Sequence, residues 1–447
     1  MESTDTKMLP ILPDDNLLGV VGRFQKNPPE VFRQMEKLGN PLVQFRLAHK
    51  KPVYVSSPEV LAEITRHWKL YQKGSTDLTK TLLGNGLVFS EEETWSTQRK
   101  ILSPAFHRSA IKSYVDIMRG RALGKIEQLK EASQAGMSVD MAKTFHEIAI
   151  EIVRDCLFGT HNAPEQLAVV LKGTLFLLKH VVKIRKNPLM PPLWVPIPSH
   201  LRAKQYHKEI EAVVLHAIEE KRKTVEKGHT MLELMLWGRD EDTDASLSYQ
   251  DIIDQVKIFF VAGTDTSANT LAWGFYLLGK HPEVFAKLRQ EIQTQIGDKP
   301  VSFEDIPNLT YQKNVVNEVL RLYPPTWINS RKPTEDVTLA GYTISKGTGL
   351  VFSPLMMQRN PEYWEAPNEF RPERFAQMET LPPSFTPFLA GPRKCIGDQF
   401  ALTEIMVVLT TIIQHFHWEF PASFEMPPAY DATLGMAKPL TTTLKPA

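Results

Sequence analysis

The sequence predicts a mainly α-helical chain with small β-sheets, of α+β class, on three observations. Apolar residues at helical spacing dominate its 447 residues. Strand-like alternation is confined to short stretches, Leu42-Val43-Gln44-Phe45-Arg46-Leu47 with Pro52-Val53-Tyr54-Val55-Ser56, and Val337-Thr338-Leu339 with Tyr342-Thr343-Ile344 about Gly341. With 42% apolar residues the chain can bury a large core.

In chain order, residues 1–26 read as an irregular lead, beginning with the acidic, polar Met1-Glu2-Ser3-Thr4-Asp5-Thr6-Lys7. A helix follows at Glu92 to Leu102 and puts Trp95 and Arg99 on one face. Cys156 sits in an apolar helical stretch and reads as a core residue. The segment Asn187 to Pro198 carries five prolines, so it joins two helices without being one. Ser248 with Asp251 makes a capping-box start for a long central helix. Ile252, Val256, Phe259, Phe260 and Val261 continue its apolar face, and Gly279 followed by Pro282 ends it after about thirty residues. Within it Thr266 stands four residues after Ala262, so its hydroxyl can bond the Ala262 carbonyl; Gly263 would tolerate a local widening that opens a groove. Next, Tyr311 to Leu322 reads as a helix stopped by Tyr323-Pro324-Pro325, with Glu318 and Arg321 on one face. Apolar periodicity returns at Phe400, Ala401, Ile405, Val408, Leu409 and Ile412.

Charge and cysteine usage exclude several classes of function. Lys+Arg number 52 and Asp+Glu 51, a net charge of +1, which argues against a charge-driven nucleic-acid binder. The two cysteines, Cys156 and Cys395, are too few for a disulfide framework or a zinc cluster and suit a reducing, cytoplasmic location. Without a run of eighteen apolar residues, neither an anchor nor stable membrane insertion is expected.

The most informative stretch is Phe388-Leu389-Ala390-Gly391-Pro392-Arg393-Lys394-Cys395-Ile396-Gly397. The last helix begins just after it, so Cys395 lies at a helix N-terminus, where free N–H groups favour a thiolate. Gly391 and Gly397 leave room for a large planar ligand near the backbone, and Pro392 stiffens the loop.

The spacing F-x-x-G-x-R-x-C-x-G resembles the haem-binding signature of the cytochrome P450 superfamily, matched by Phe388, Gly391, Arg393, Cys395 and Gly397. Upstream, Phe260-Val261-Ala262-Gly263-Thr264-Asp265-Thr266-Ser267 resembles that family's oxygen-activating motif. The resemblance runs from about Asn27 to the C-terminus as one unit and implies a single P450 domain over 1–447, with haem between the central helix and the cysteine-loop helix. Cys395 would be the axial thiolate of haem b, and Asp265 and Thr266 would deliver protons during dioxygen activation. Trp95, Arg99, Arg331 and Arg393 would meet the propionates, with Ala262, Gly263, Phe388 and Gly397 also against the cofactor. Glu318, Arg321 and Arg374 would form a buried structural triad. Family-aligned pocket walls are Phe259, Phe260, Thr326, Trp327, Ile328, Leu434, Gly435 and Met436, nearly all apolar, so a small lipophilic substrate is expected, a fatty acid or a terpenoid or carotenoid. Electrons would come ultimately from NAD(P)H through a separate ferredoxin or flavodoxin/reductase donor, since no reductase domain follows; Lys100, Arg108, Lys112 and Lys394 are candidates for its dock. Two other activities stay open here: a peroxide-driven peroxygenase or hydroperoxide isomerase, against which the intact Asp265-Thr266 pair argues, and a non-enzymatic haem-binding or ligand-sensing module.

Overall fold

The structure is a computed structural model and describes residues 8–73, 77–160, 164–186, 190–223 and 230–447. In chain order its helices begin with α1 (Val21–Lys26), α2 (Pro28–Glu36), α3 (Pro58–Arg66), α4 (Asp77–Leu83) and α5 (Glu92–Leu102). There follow α6 (Arg108–Gln134), α7 (Met141–Phe158), α8 (Pro164–Lys186), α9 (Pro198–Lys223), α10 (Met231–Trp237) and α11 (Tyr249–Lys280). The last are α12 (Pro282–Gln295), α13 (Thr310–Leu322), α14 (Pro354–Met357), α15 (Glu373–Ala376) and α16 (Asp398–His415). Strands are short: β1 (Leu42–Gln44), β2 (Val53–Val55), β3 (Tyr71–Gln72), β4 (Val139–Asp140), β5 (Asn329–Pro333), β6 (Val337–Leu339), β7 (Tyr342–Ile344) and β8 (Leu350–Phe352), with pairs of two or three residues near the C-terminus. The packing divides into two compact units: Met1–Gly74 with Asn317–Cys395 and Pro428–Gly435, and Ser75–Val316 with Ile396–Pro427 and Met436–Ala447.

The first unit is built on a five-stranded sheet of order β1-β2-β8-β5-β3. The expected pairs form, β1 with β2 in the register Leu42↔Val55 and β6 with β7 in the register Val337↔Ile344, both antiparallel. Alternation then puts Leu42, Val53, Val55, Leu350 and Phe352 into one apolar cluster with Leu61 and Ile64 of α3. Val43 and Tyr54 enter a second cluster with Phe32 and Met35 of α2. Each such side chain stabilises the fold by roughly 1.5–3 kcal/mol relative to leaving it in water. The run Asn329-Ser330-Arg331-Lys332-Pro333 forms β5 although it lacks apolar alternation, because its backbone pairs with β8 on one side and β3 on the other. Of the irregular lead expected over 1–26, residues 8–20 are irregular, with turns and isolated bridges, and the correction concerns the last six residues. Val21–Lys26 are helical, and Leu12 N donates to Gln44 O and Val20 N to Arg46 O, both at 2.9 Å, so the lead occupies the hydrogen-bonding groups beside β1. Residues 1–7 lie outside the described residues.

In the second unit α11 packs on α7, and α16 on α6 and α11. α11 runs for 32 residues behind the expected capping box: Asp251 N donates to Ser248 Oγ at 3.1 Å, and Ser248 N to Asp251 Oδ2 at 3.0 Å. The expected bond at Ala262 forms. Thr266 Oγ1 donates to Ala262 O at 2.5 Å while the helix continues unbroken. Gly263 also has a steric reason to be glycine: a Cβ there would lie 2.9 Å from Val153 Cγ2 on α7, so the missing side chain permits the close approach of two helices. Of the proline-rich connection, 187–189 lie outside the described residues; 190–197 are non-helical, with Trp194 78% exposed. Among the described residues no helix is long and apolar enough to cross a membrane.

Candidate functional site

The cysteine loop belongs to the first unit. Cys395 N donates to Phe388 O and Lys394 N to Gly391 O, both at 3.0 Å, which closes the loop on itself. Gly391 has φ +69°, and a Cβ there would lie 2.6 Å from Thr65 O, so its glycine serves this turn against α3 rather than a ligand. Cys395 is exposed, two residues before Gly397, the N-cap of α16. Cys156 is fully buried, and burial, with Glu404 and Asp155 nearby, pushes its thiol well above the ordinary range. On the same unit as Cys395 the guanidinium groups of Arg393, 5.3 Å over the Trp68 ring, and of Arg331, which donates to Asn329 Oδ1 at 3.0 Å and Ser330 O at 2.8 Å, are buried. Trp95, buried, and Arg99, half-buried, stand one turn apart on α5 in the second unit.

On α11 the side chains before and after the motif are buried, but Ala262 is exposed and Asp265 and Thr266 are half-buried. Val261 and Gly263 are half-buried as well, so the cover of the helix loosens over this motif, while 252–260 and 267–279 are buried. Asp265 Oδ1 lies 3.5 Å from Nε2 of His146 on α7.

The structure brings Glu318, Arg321 and Arg374 together. Arg321 donates from Nε to Glu318 Oε2 at 2.7 Å and from Nη2 to Oε1 at 2.9 Å, and Arg374 Nε donates to Oε1 at 3.0 Å. Glu318 and Arg321 are fully buried. The remaining Arg321 donors reach Gln358 O, Pro367 O and Glu369 O, tying α13 to the chain that leads to the cysteine loop.

The sequence model described as Cytochrome P450 matches residues 15–445. The chain belongs to the cytochrome P450 family. This P450 is 30% identical over 408 residues to cyclooctat-9-en-7-ol 5-monooxygenase of Streptomyces melanosporofaciens, covering 89% of this chain and 86% of that protein. It is 30% identical over 431 residues to pentalenene oxygenase of Streptomyces avermitilis, with 94% and 93% covered. A plant relative, echinocystic acid 23-monooxygenase of Saponaria officinalis, is 28% identical over 409 residues, covering 86% of this chain and 77% of its own.

Four of the expected pocket walls of the P450, Phe259, Phe260, Trp327 and Leu434, are buried. Phe260 is buried against Phe158 of α7, and Phe259 is buried edge-on to Phe106 at 5.7 Å. Trp327 is buried with its Nε1 donating to Asp431 O at 3.0 Å, and Leu434 is fully buried in the same cluster. Thr326, Ile328, Gly435 and Met436 are half-buried. Gly397 is half-buried, with Phe106 the neighbour a Cβ would meet, at 3.4 Å; Phe388 is half-buried. Two of the proposed docking cations are already neutralised: Lys100 pairs with Asp240 and Asp242, and Lys112 with Glu304 at 2.5 Å. Arg108 stacks on Phe303, and Lys394 is exposed.

The sequence reading missed Glu404. It is fully buried on α16, accepts from Ser267 Oγ of α11 at 2.6 Å, and burial pushes its carboxyl up to about 8. Its position four residues after Phe400 and four before Val408 marks it as the polar member of an apolar face.

Proposed function

We propose that this P450 monooxygenase oxygenates a terpenoid hydrocarbon or terpenoid alcohol, holding haem through Cys395 and moving protons through Asp265 and Thr266. The observation that carries this reading is that α11, buried over 252–260 and 267–279, loses its cover at this motif, with Ala262 exposed and Asp265 and Thr266 half-buried. The residues present fit haem. Of the two thiols only Cys395 is accessible and suited to ionise, because Cys156 is enclosed and held protonated. Trp95, Arg99, Arg331 and Arg393 are donors of the kind that two propionates need, and Ala262 offers a small apolar surface. When bound, haem supplies dioxygen activation, the anionic sulfur favouring O–O cleavage. The match across residues 15–445 supports treating both units as one P450 domain.

The chain's own residues supply proton handling and exclusion of water. Thr266 Oγ1 gives its hydrogen to Ala262 O, which leaves the oxygen lone pairs to accept a proton-bearing neighbour. Asp265, one residue earlier and half-buried, can hold a proton and release it again. Thr326 and Ile328, half-buried on the first unit, carry no charge, which suits an apolar molecule. The terpenoid class is supported by the names of the two Streptomyces relatives and the plant relative. Electrons would arrive from a separate donor.

The purified ferric protein, titrated with terpenes and terpenoid alcohols alongside fatty acids, should show a spectral shift with the terpenoids; shifts with fatty acids alone would replace the substrate class. Cys395→Ser should abolish the thiolate-type spectrum of the reduced carbon monoxide complex, and a surviving spectrum would overturn Cys395 as the ligand.

A further inference from the structure

We propose that His146 is a positioning residue through which protons pass from solvent to Asp265, an inference that rests on the Asp265–Thr266 relay above. Three features of the geometry point to it. The ring of His146 is partly exposed, with 34% of the side chain open, so it reaches solvent while also contacting Asp265. Its Nδ1 bonds Ala142 O at 2.9 Å, which requires a hydrogen on Nδ1 because a carbonyl can only accept. A hydrogen on Nε2, 3.5 Å from Asp265 Oδ1, therefore exists only in the imidazolium, so the contact is an ion pair whose shared proton is the one the ring gains from water.

The charges around the ring favour that form. Burial works against it, but the Asp265 carboxylate and the Ala142 carbonyl outweigh burial, with Asp140 adding to them, and the ring titrates above its ordinary range. Cations on the packed helix α6 are taken up elsewhere, Lys125 by Glu147 and Glu151 and Arg121 by Asp155; on α7 itself Lys143 faces Glu147 at 4.0 Å. The step is a plain proton transfer. The N–H bond at Nε2 breaks, an O–H bond forms at Asp265 Oδ1, and neutral His146 keeps its Nδ1 hydrogen on Ala142 O. A solvent proton then restores Nε2 at the exposed edge. Asp265 loses its charge partner at the same moment, which frees the acid to turn toward Thr266.

The test uses haem-loaded full-length protein with nitrogen-15-labelled histidine in the diamagnetic reduced carbon monoxide state. The His146 resonance, identified by its loss in His146→Gln, should titrate above free histidine, and should fall to the ordinary range in Asp265→Asn. Titration at the ordinary range in wild type would overturn the pairing. In turnover, His146→Gln should slow product formation on the order of tenfold and lose the corresponding pH inflection, water replacing part of the route. His146→Arg restores a cation that cannot give up its proton, and it should stay slow; recovery to the wild-type rate would mean that charge alone matters and would overturn the inference. Normal coupling in both Thr266→Ala and Asp265→Asn would sink the relay itself. Impairment in those two with a normal His146→Gln would sink only the role of His146.

Discussion

Glu404 is the residue whose environment departs furthest from what its type prefers. A carboxyl at an ordinary 4.5 in water and about 8 in the fold is bound more tightly by its proton when folded, so its contribution is full below the ordinary carboxyl range and is lost as pH rises to about 8. Glu404→Gln keeps an acceptor for Ser267 without any charge to bury. Relative to wild type it should therefore gain stability between pH 5 and pH 8, by about 3 kcal/mol if the whole shift is expressed. Thermal unfolding of both proteins at the two pH values checks this; parallel curves would show Glu404 to be neutral throughout or solvated. At this scale the sequence was legible wherever partners lie within one turn. Thr266 with Ala262, and Glu318 with Arg321, were readable from spacing. Glu404 with Ser267, and His146 with Asp265, join residues on different helices, and no local pattern announces which faces meet.

Among the elements α11 was the most legible, because its capping box and the proline after it are chemical signals of a helix start and stop. What happens in its middle was not. Gly263 read only as a place for a widening, and the steric constraint set by Val153, on a helix far away in sequence, gave no local signal. Gly263→Ala gains helix propensity but drives a Cβ to 2.9 Å from a β-branched side chain with little rotamer freedom. The clash should prevail, lowering stability by about 1 kcal/mol. Adding Val153→Ala should then cost less than Val153→Ala alone in a Gly263 background, a coupling that a double-mutant cycle on the unfolding midpoint measures. β5 failed for the complementary reason: its partners β8 and β3, rather than its own composition, make it a strand.

At the level of the whole molecule, the first unit is assembled from three separated stretches of chain, and the Glu318 cluster is the polar fastening within it. One carboxylate takes bonds from Arg321 twice, from Arg374 and from the Arg371 amide. Glu318→Ala strands two guanidinium groups inside the fold, a cost of about 3–5 kcal/mol. The variant should give little folded, pigmented protein, whereas Arg374→Lys, at the more open edge, should retain most of it. Yield and haem absorbance per chain decide between them, and normal yields for Glu318→Ala would assign the cluster no structural weight. The fold class and cysteine loop could be read from order and spacing because they are carried by short motifs. Which apolar residues face a cavity could not, since Phe260, Trp327 and Leu434 look the same in sequence whether they line an opening or fill a core.

The contrast between the two thiols gives the protein a built-in gauge of its own loading. Cys156 is sealed and protonated, and Cys395 is within reach of small reagents until something binds its sulfur. One alkylating label per native chain therefore counts empty molecules directly, and two labels count unfolded ones, so a single mass spectrum sorts a preparation into loaded, empty and denatured fractions.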